Sequence, residues 1–72
     1  MHYTQRIKET REDRDLKQTN IAKIINITQQ QYQLYESGQR ELPLHHLITL
    51  CEYYNLSADY LLGMIDTPRA LR

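Results

Sequence analysis

Only three residues, Asn26, Ile27 and Thr28, separate two short helical segments in this chain, and so short a joint leaves few folds open. The first segment, 18 to 25, packs Ile21, Ala22, Ile24 and Ile25 into one short stretch. Asn26 ends it, because Asn is the residue after glycine that most readily accepts a left-handed turn. The second opens at Thr28, where T-Q-Q-Q has capping-box spacing: Thr28 accepts from the N–H of Gln31, and the Gln31 side chain reaches back. Gly38 closes it. Two short helices joined this tightly are the helix-turn-helix arrangement, and the small Ala22 lets them approach closely.

Three more helices complete the pattern. One spans about 3 to 14, with Tyr3 and Ile7 on its apolar stripe and Leu16 as a following anchor; it is the weakest amphipath of the set. Pro43 suits the first turn of another, which carries Leu44, Leu47, Ile48, Cys51 and Tyr54 at offsets of three and four until Asn55 ends it. Ser57 caps a last helix, Ala58 to Leu62, stopped by Gly63. The expectation is an all-α, compact five-helix bundle: one domain over 1–63 and a short tail, 64–72, that is frayed or used by a partner.

With 72 residues there is room for one small core and no second catalytic domain. A single cysteine, Cys51, makes no intrachain disulfide, and no apolar run is long enough for a membrane span or a signal peptide. A soluble, reduced, cytoplasmic protein is the expectation. Net charge is zero, which excludes a binder that works by charge alone. The charges are unevenly placed, however. From 17 to 40 they are Lys17, Lys23, Arg40 and a single acid, Glu36.

The helix after Thr28 shows what that mildly basic middle could do. On a helical projection Tyr32 and Tyr35 share the inward side, while Gln30, Gln33, Leu34 and Ser37 lie opposite, flanked by Gln29 and Gln31. A solvated face is usually written in Lys and Glu, whereas an amide bonds bidentately to the N6 and N7 of adenine, discriminating by roughly 1 to 3 kcal/mol per good pair. This face fits the major groove of double-stranded DNA, with affinity left to flanking phosphate contacts.

Four signals, in order, carry a family likeness: Gln18 opening the second helix, "IA" at 21 and 22, "YESG" at 35 to 38, and "YNLSADYLLG" from 54 to 63. With them the stretch from 6 to 63 resembles the phage lambda-type repressor and Cro family, also called XRE, of five-helix DNA-binding domains. The resemblance implies a sequence-specific transcriptional regulator, a repressor that acts as a homodimer on an inverted-repeat operator, with no cofactor. It implies base contacts from Gln29, Gln30 and Leu34, with Gln33 on the same face. Phosphate contacts would come from Gln18, Thr28, Gln31, Gln39 and Arg40, and Lys17 adds a cation beside them. Arg11 matches an arginine that in several family members pairs with the glutamate at Glu36, a pair whose breaking costs about 3 to 5 kcal/mol when buried. Four positions depart from the family pattern. Lys17 replaces a Ser or Thr cap, Asn26 a turn glycine, Leu34 a polar reading position and Thr10 a leucine, the last implying a loosely packed first helix.

Other chemistry finds little support. His45 and His46 are adjacent, about 100° apart on a helix, without the i, i+4 partner of zinc helices, so no metal site is expected. Nothing in the sequence is arranged to activate Cys51, and no nucleophile and base form a hydrolase. Capping alone explains Gln31 as well as a DNA role does, and "EDRD" at 12 to 15 reads as a solvated helix end. The alternative function is a protein-interaction module, such as the antitoxin of a toxin–antitoxin pair, with DNA binding secondary.

Overall fold

The structure, a computed structural model, describes residues 2–72; Met1, at the start of the expected domain, lies outside them. The described chain is all-helical: α1 Tyr3–Asp13, α2 Gln18–Ile24, α3 Gln29–Glu36, α4 Leu44–Tyr54 and α5 Ala58–Leu61. Ile21, Tyr32, Leu50 and Leu61 are the largest wholly buried side chains, so α2, α3, α4 and α5 each drive one large group into a shared core.

The joint between α2 and α3 is built as its residues dictate. Asn26 takes the left-handed conformation at φ 61°, and the Ile27 N–H reaches back to the Ala22 carbonyl at 2.9 Å. Ala22 is 3% exposed, and a larger side chain there would push the helices apart. Asn55 ends α4 by the same device at φ 54°. Gly38 and Gly63 take positive φ after α3 and α5.

Three local expectations need correction. Pro43 is the N-cap of α4, not part of its first turn, since its ψ of 147° is extended. The Ser57 hydroxyl leaves the α5 backbone uncapped and donates instead to the Asp59 carboxylate, whose pKa it lowers together with the Tyr60 N–H and Arg69. Thr10 is not loosely held: it is 5% exposed and its hydroxyl donates to the Arg6 carbonyl at 2.8 Å, turning a polar group inward at little cost. "EDRD" at 12 to 15 is the solvated helix end expected, all four residues exposed and α1 ending at Asp13, with Arg14 also donating to the Tyr54 carbonyl at 3.0 Å, its guanidinium 4.9 Å from the Tyr54 ring centre, and Asp15 making a left-handed turn at φ 55°.

Arg6 was invisible as a structural residue in the sequence. It is 5% exposed, lies 4.1 Å from the Tyr60 ring centre, and donates to the carbonyls of Tyr60 (2.7 Å) and Ile65 (3.0 Å). It thereby ties α1 to α5 and to the start of the tail. The tail itself is bonded rather than frayed. Leu56 and Ala70 form an antiparallel bridge, the Ser57 N–H donates to Arg69 at 2.7 Å, and the Leu71 and Arg72 N–H groups donate to the Asn55 carbonyl and side chain. The α4–α5 loop leaves those backbone groups open, and the tail fills them. No helix among the described residues is long and apolar enough to cross a membrane.

Candidate nucleic-acid interface

The candidate surface is α3 and its surroundings. Both halves of the α3 capping box are made: the Gln31 N–H donates to Thr28 Oγ1 at 3.1 Å, and the Thr28 N–H donates to Gln31 Oε1 at 3.2 Å. With its first turn fixed, α3 presents Gln29, Gln30 and Gln33 to solvent. Leu34 is half-buried, so only part of it faces outward, and its carbonyl accepts from the Arg40 N–H at 3.2 Å. Tyr32 points into the core, while Tyr35 is half-buried with its ring 6.0 Å from that of His46.

Beneath α3 lies a polar scaffold. Arg11 Nη2 stands 2.7 Å from Glu36 Oε1 and Nε stands 3.0 Å from Oε2, a bidentate pair whose side chains are 12% and 3% exposed. Arg11 also donates to the Leu16 carbonyl at 2.9 Å, which fixes the turn after α1. Gln18, at the start of α2, donates to Glu36 Oε1 and accepts from Gln29 Nε2, each at 3.3 Å. One buried carboxylate is therefore connected through one side chain to a solvent-facing glutamine of α3.

Burial alone would raise the Glu36 pKa, but the hydrogen bonds from Arg11 and Gln18, with the Tyr32 hydroxyl nearby, outweigh it and hold the carboxyl below its ordinary range. The Glu36 bond in turn raises the Arg11 pKa. The Tyr32 hydroxyl feels the same carboxylate without meeting full hydrogen-bond geometry, and burial first, then Glu36, push its pKa far up. Both members of the pair stay charged at neutral pH. Glu36 thus adds no free negative charge beside α3, and Lys17, Lys23 and Arg40 are exposed.

The remaining site residues divide in two. Lys17, Thr28, Gln31, Gln39 and Arg40 are exposed around α3, whereas Gln18 is half-buried in the scaffold. Lys17 has no side-chain acceptor, so it cannot cap α2. Asn20 partly compensates, its Oδ1 accepting the Lys17 N–H at 2.8 Å, and an Asn three residues beyond a cap position was the signal in the sequence. Lys8 also went unnoticed; with Gln33 and Ser37 it borders a cleft of about 370 Å³ floored by Arg11, Gln18 and Glu36. His45 and His46 have ring centres 4.1 Å apart.

A tight α2–α3 joint, a capped α3 with an outward amide face and a buried pair behind it define a helix-turn-helix domain. The chain belongs to the Cro/C1-type (XRE) helix-turn-helix family: the family model described as "Helix-turn-helix" matches residues 7–61. It is 35% identical over 66 residues to the uncharacterized HTH-type transcriptional regulator YobD of Bacillus subtilis (strain 168), covering 92% of this chain and 59% of that protein. To a second B. subtilis protein, the uncharacterized HTH-type transcriptional regulator YqaE, it is 35% identical over 60 residues, 83% of this chain and 52% of the other. The crystal structure of a transcriptional regulator from Listeria innocua superposes with a TM-score of 0.82 at 26% identity, covering 92% of this chain and 62% of that one. The chain thus spans between half and two thirds of the length of these relatives. The family is one of DNA-binding transcriptional regulators and not a class of enzymes.

Proposed function

We propose that the domain binds double-stranded DNA sequence-specifically, with α3 in the major groove, and regulates transcription as a repressor. Gln29, Gln30 and Gln33 contact base edges, and the exposed part of Leu34 lies against a thymine methyl. Lys17, Gln18, Thr28, Gln31, Gln39 and Arg40 contact the flanking phosphates and set the register of α3. Two copies bind an inverted repeat with half-sites about one helical turn apart. The cytoplasm is where such a regulator meets its operator.

The observation that carries this reading is the exposed amide face of α3 held from behind by the Arg11–Glu36–Gln18 scaffold. A merely solvated face needs no such support; a reading face does, because each amide must be presented in one place. The test is selection of bound duplexes from a random pool at moderate salt, then the salt dependence of affinity for the enriched sequence. An inverted repeat with a steep salt slope is the expected result. A folded protein that enriches nothing would refute the proposal and favour the interaction-module alternative.

A further inference from the structure

The cleft between α1 and α3 lies where the two kinds of DNA contact proposed above meet. Gln33, assigned to the bases, stands on one rim beside Ser37, and Gln18, assigned to phosphates, lies in the floor. Lys8 of α1 forms the opposite rim of this space of about 370 Å³. Lys8 is exposed and makes no ion pair with any described residue, Glu12 one turn along α1 included. The floor is neutral, because Arg11 and Glu36 cancel one another in their bidentate pair. Lys8 therefore supplies the one uncompensated charge among the residues that line the cleft. Ser37 commits its hydroxyl hydrogen to the Leu34 carbonyl, so the free donors at the rim are those of Lys8 and Gln33.

We infer that this cleft seats a backbone phosphate of the bound DNA, with the Lys8 ammonium as its counter-charge. The inference rests on the DNA-binding reading above and adds to it a contact from α1. A helix lying in the major groove has a phosphate strand running along each of its flanks. The strand held at Gln18 runs along the α1 flank of α3. Gln29, the residue bonded to Gln18, and Gln33 are four residues apart on α3, a rise of about 6 Å. Followed from Gln18 toward Gln33, that strand passes over the cleft and beside Lys8. A lysine suits such a place, since its compact charge on a flexible stem follows a phosphate without the fixed fork that a planar partner needs. The occupant is a phosphate of the duplex and not a free anion. A lone exposed ammonium is worth at most about 1 kcal/mol to an ion in solution, whereas docking of α3 delivers the phosphate to Lys8 already in place.

Titration of the selected duplex at several salt concentrations, with wild type, Lys8→Ala and Lys8→Arg, tests this. Lys8→Ala should select the same sequence as wild type and flatten the salt slope by about 0.9 for each copy bound. The wild-type advantage per copy should then shrink about 3- to 4-fold between about 50 and about 200 mM salt. Lys8→Arg, which keeps the charge, should keep the slope. Phosphate ethylation locates the contact. Ethylating one phosphate on the strand beside Gln18 should block wild type, and Lys8→Ala should be indifferent to that phosphate while the other interferences remain. Circular dichroism melts of the variants should match wild type, because the Lys8 side chain is exposed. If Lys8→Ala fails to fold, Lys8→Gln carries the same test. A slope unchanged by loss of Lys8, an ethylation pattern identical to wild type, or an altered base preference overturns the inference and leaves the DNA reading standing. A wild type that enriches no duplex overturns both.

Discussion

Replacing Glu36 with Gln keeps the shape of the carboxyl and removes its charge, leaving the Arg11 guanidinium, 12% exposed, beside a neutral amide. Removing one partner of a buried pair costs about 3 to 5 kcal/mol. The low end applies, since Arg11 keeps its bond to the Leu16 carbonyl and some contact with water. A domain of this length is stable by about 4 to 11 kcal/mol, so a loss of about 3 kcal/mol is a large share. The expected fall in melting temperature is about 12 to 24 °C. The sign of the pH dependence follows from the depressed carboxyl. Its contribution is fully present above the unfolded value of about 4.3 and is lost as pH falls through the lower folded value. Urea melts of wild type and Glu36→Gln at neutral pH should therefore differ by about 3 kcal/mol, and the gap should close as pH drops below about 4. A gap under about 1 kcal/mol at neutral pH, or one unchanged in acid, would show the pair to be screened and the argument wrong.

Gln29→Ala and Gln30→Ala should each cost roughly 1 to 3 kcal/mol on the selected site and spare random duplex; equal losses on both would sink the base-reading assignment. Arg40→Ala should lower affinity evenly across sequences and reduce the salt slope by about one, measured by titration at several salt concentrations. Thr28→Ala removes the acceptor for the Gln31 N–H and should destabilise the fold by about 1 kcal/mol in urea melts. Asn26→Ala keeps a β-carbon at φ 61° but loses the side-chain amide that makes the left-handed turn tolerable and should cost about 1 kcal/mol, whereas Asn26→Gly should cost less; the reverse order would refute the turn argument.

What the sequence revealed of the fold is whatever local chemistry determines. Thr28 with Gln31, the left-handed Asn26 and Asn55, and the glycines after α3 and α5 each act within a few residues, so the letters announce them. The outward placement of Gln29, Gln30 and Gln33 follows from helical periodicity alone. The features missed depend on distant parts of the chain. Arg6 reads as one more surface cation until α5 and the tail bring Tyr60 and Ile65 over it. The tail shows no apolar period because backbone atoms hold it, and those carry no sequence signature. The Gln18–Gln29 contact belongs to the same class: it exists only once α2 and α3 cross at the angle that Ala22 permits.

That contact has an informational consequence. A primary amide can face either way at little cost, and a glutamine free to turn offers a base a donor or an acceptor indifferently. Glu36 is a pure acceptor, so Gln18 must turn its nitrogen toward it and its oxygen toward Gln29. Gln29 must then give its own nitrogen to Gln18, which leaves its oxygen and one remaining N–H as a fixed polarity on the outward side of α3. The carboxylate in the core thus removes a two-way ambiguity at the surface. A neutral amide in its place would let the whole row reverse, and duplex selection on Glu36→Gln would show this as a blurred preference at the Gln29 position before affinity fell.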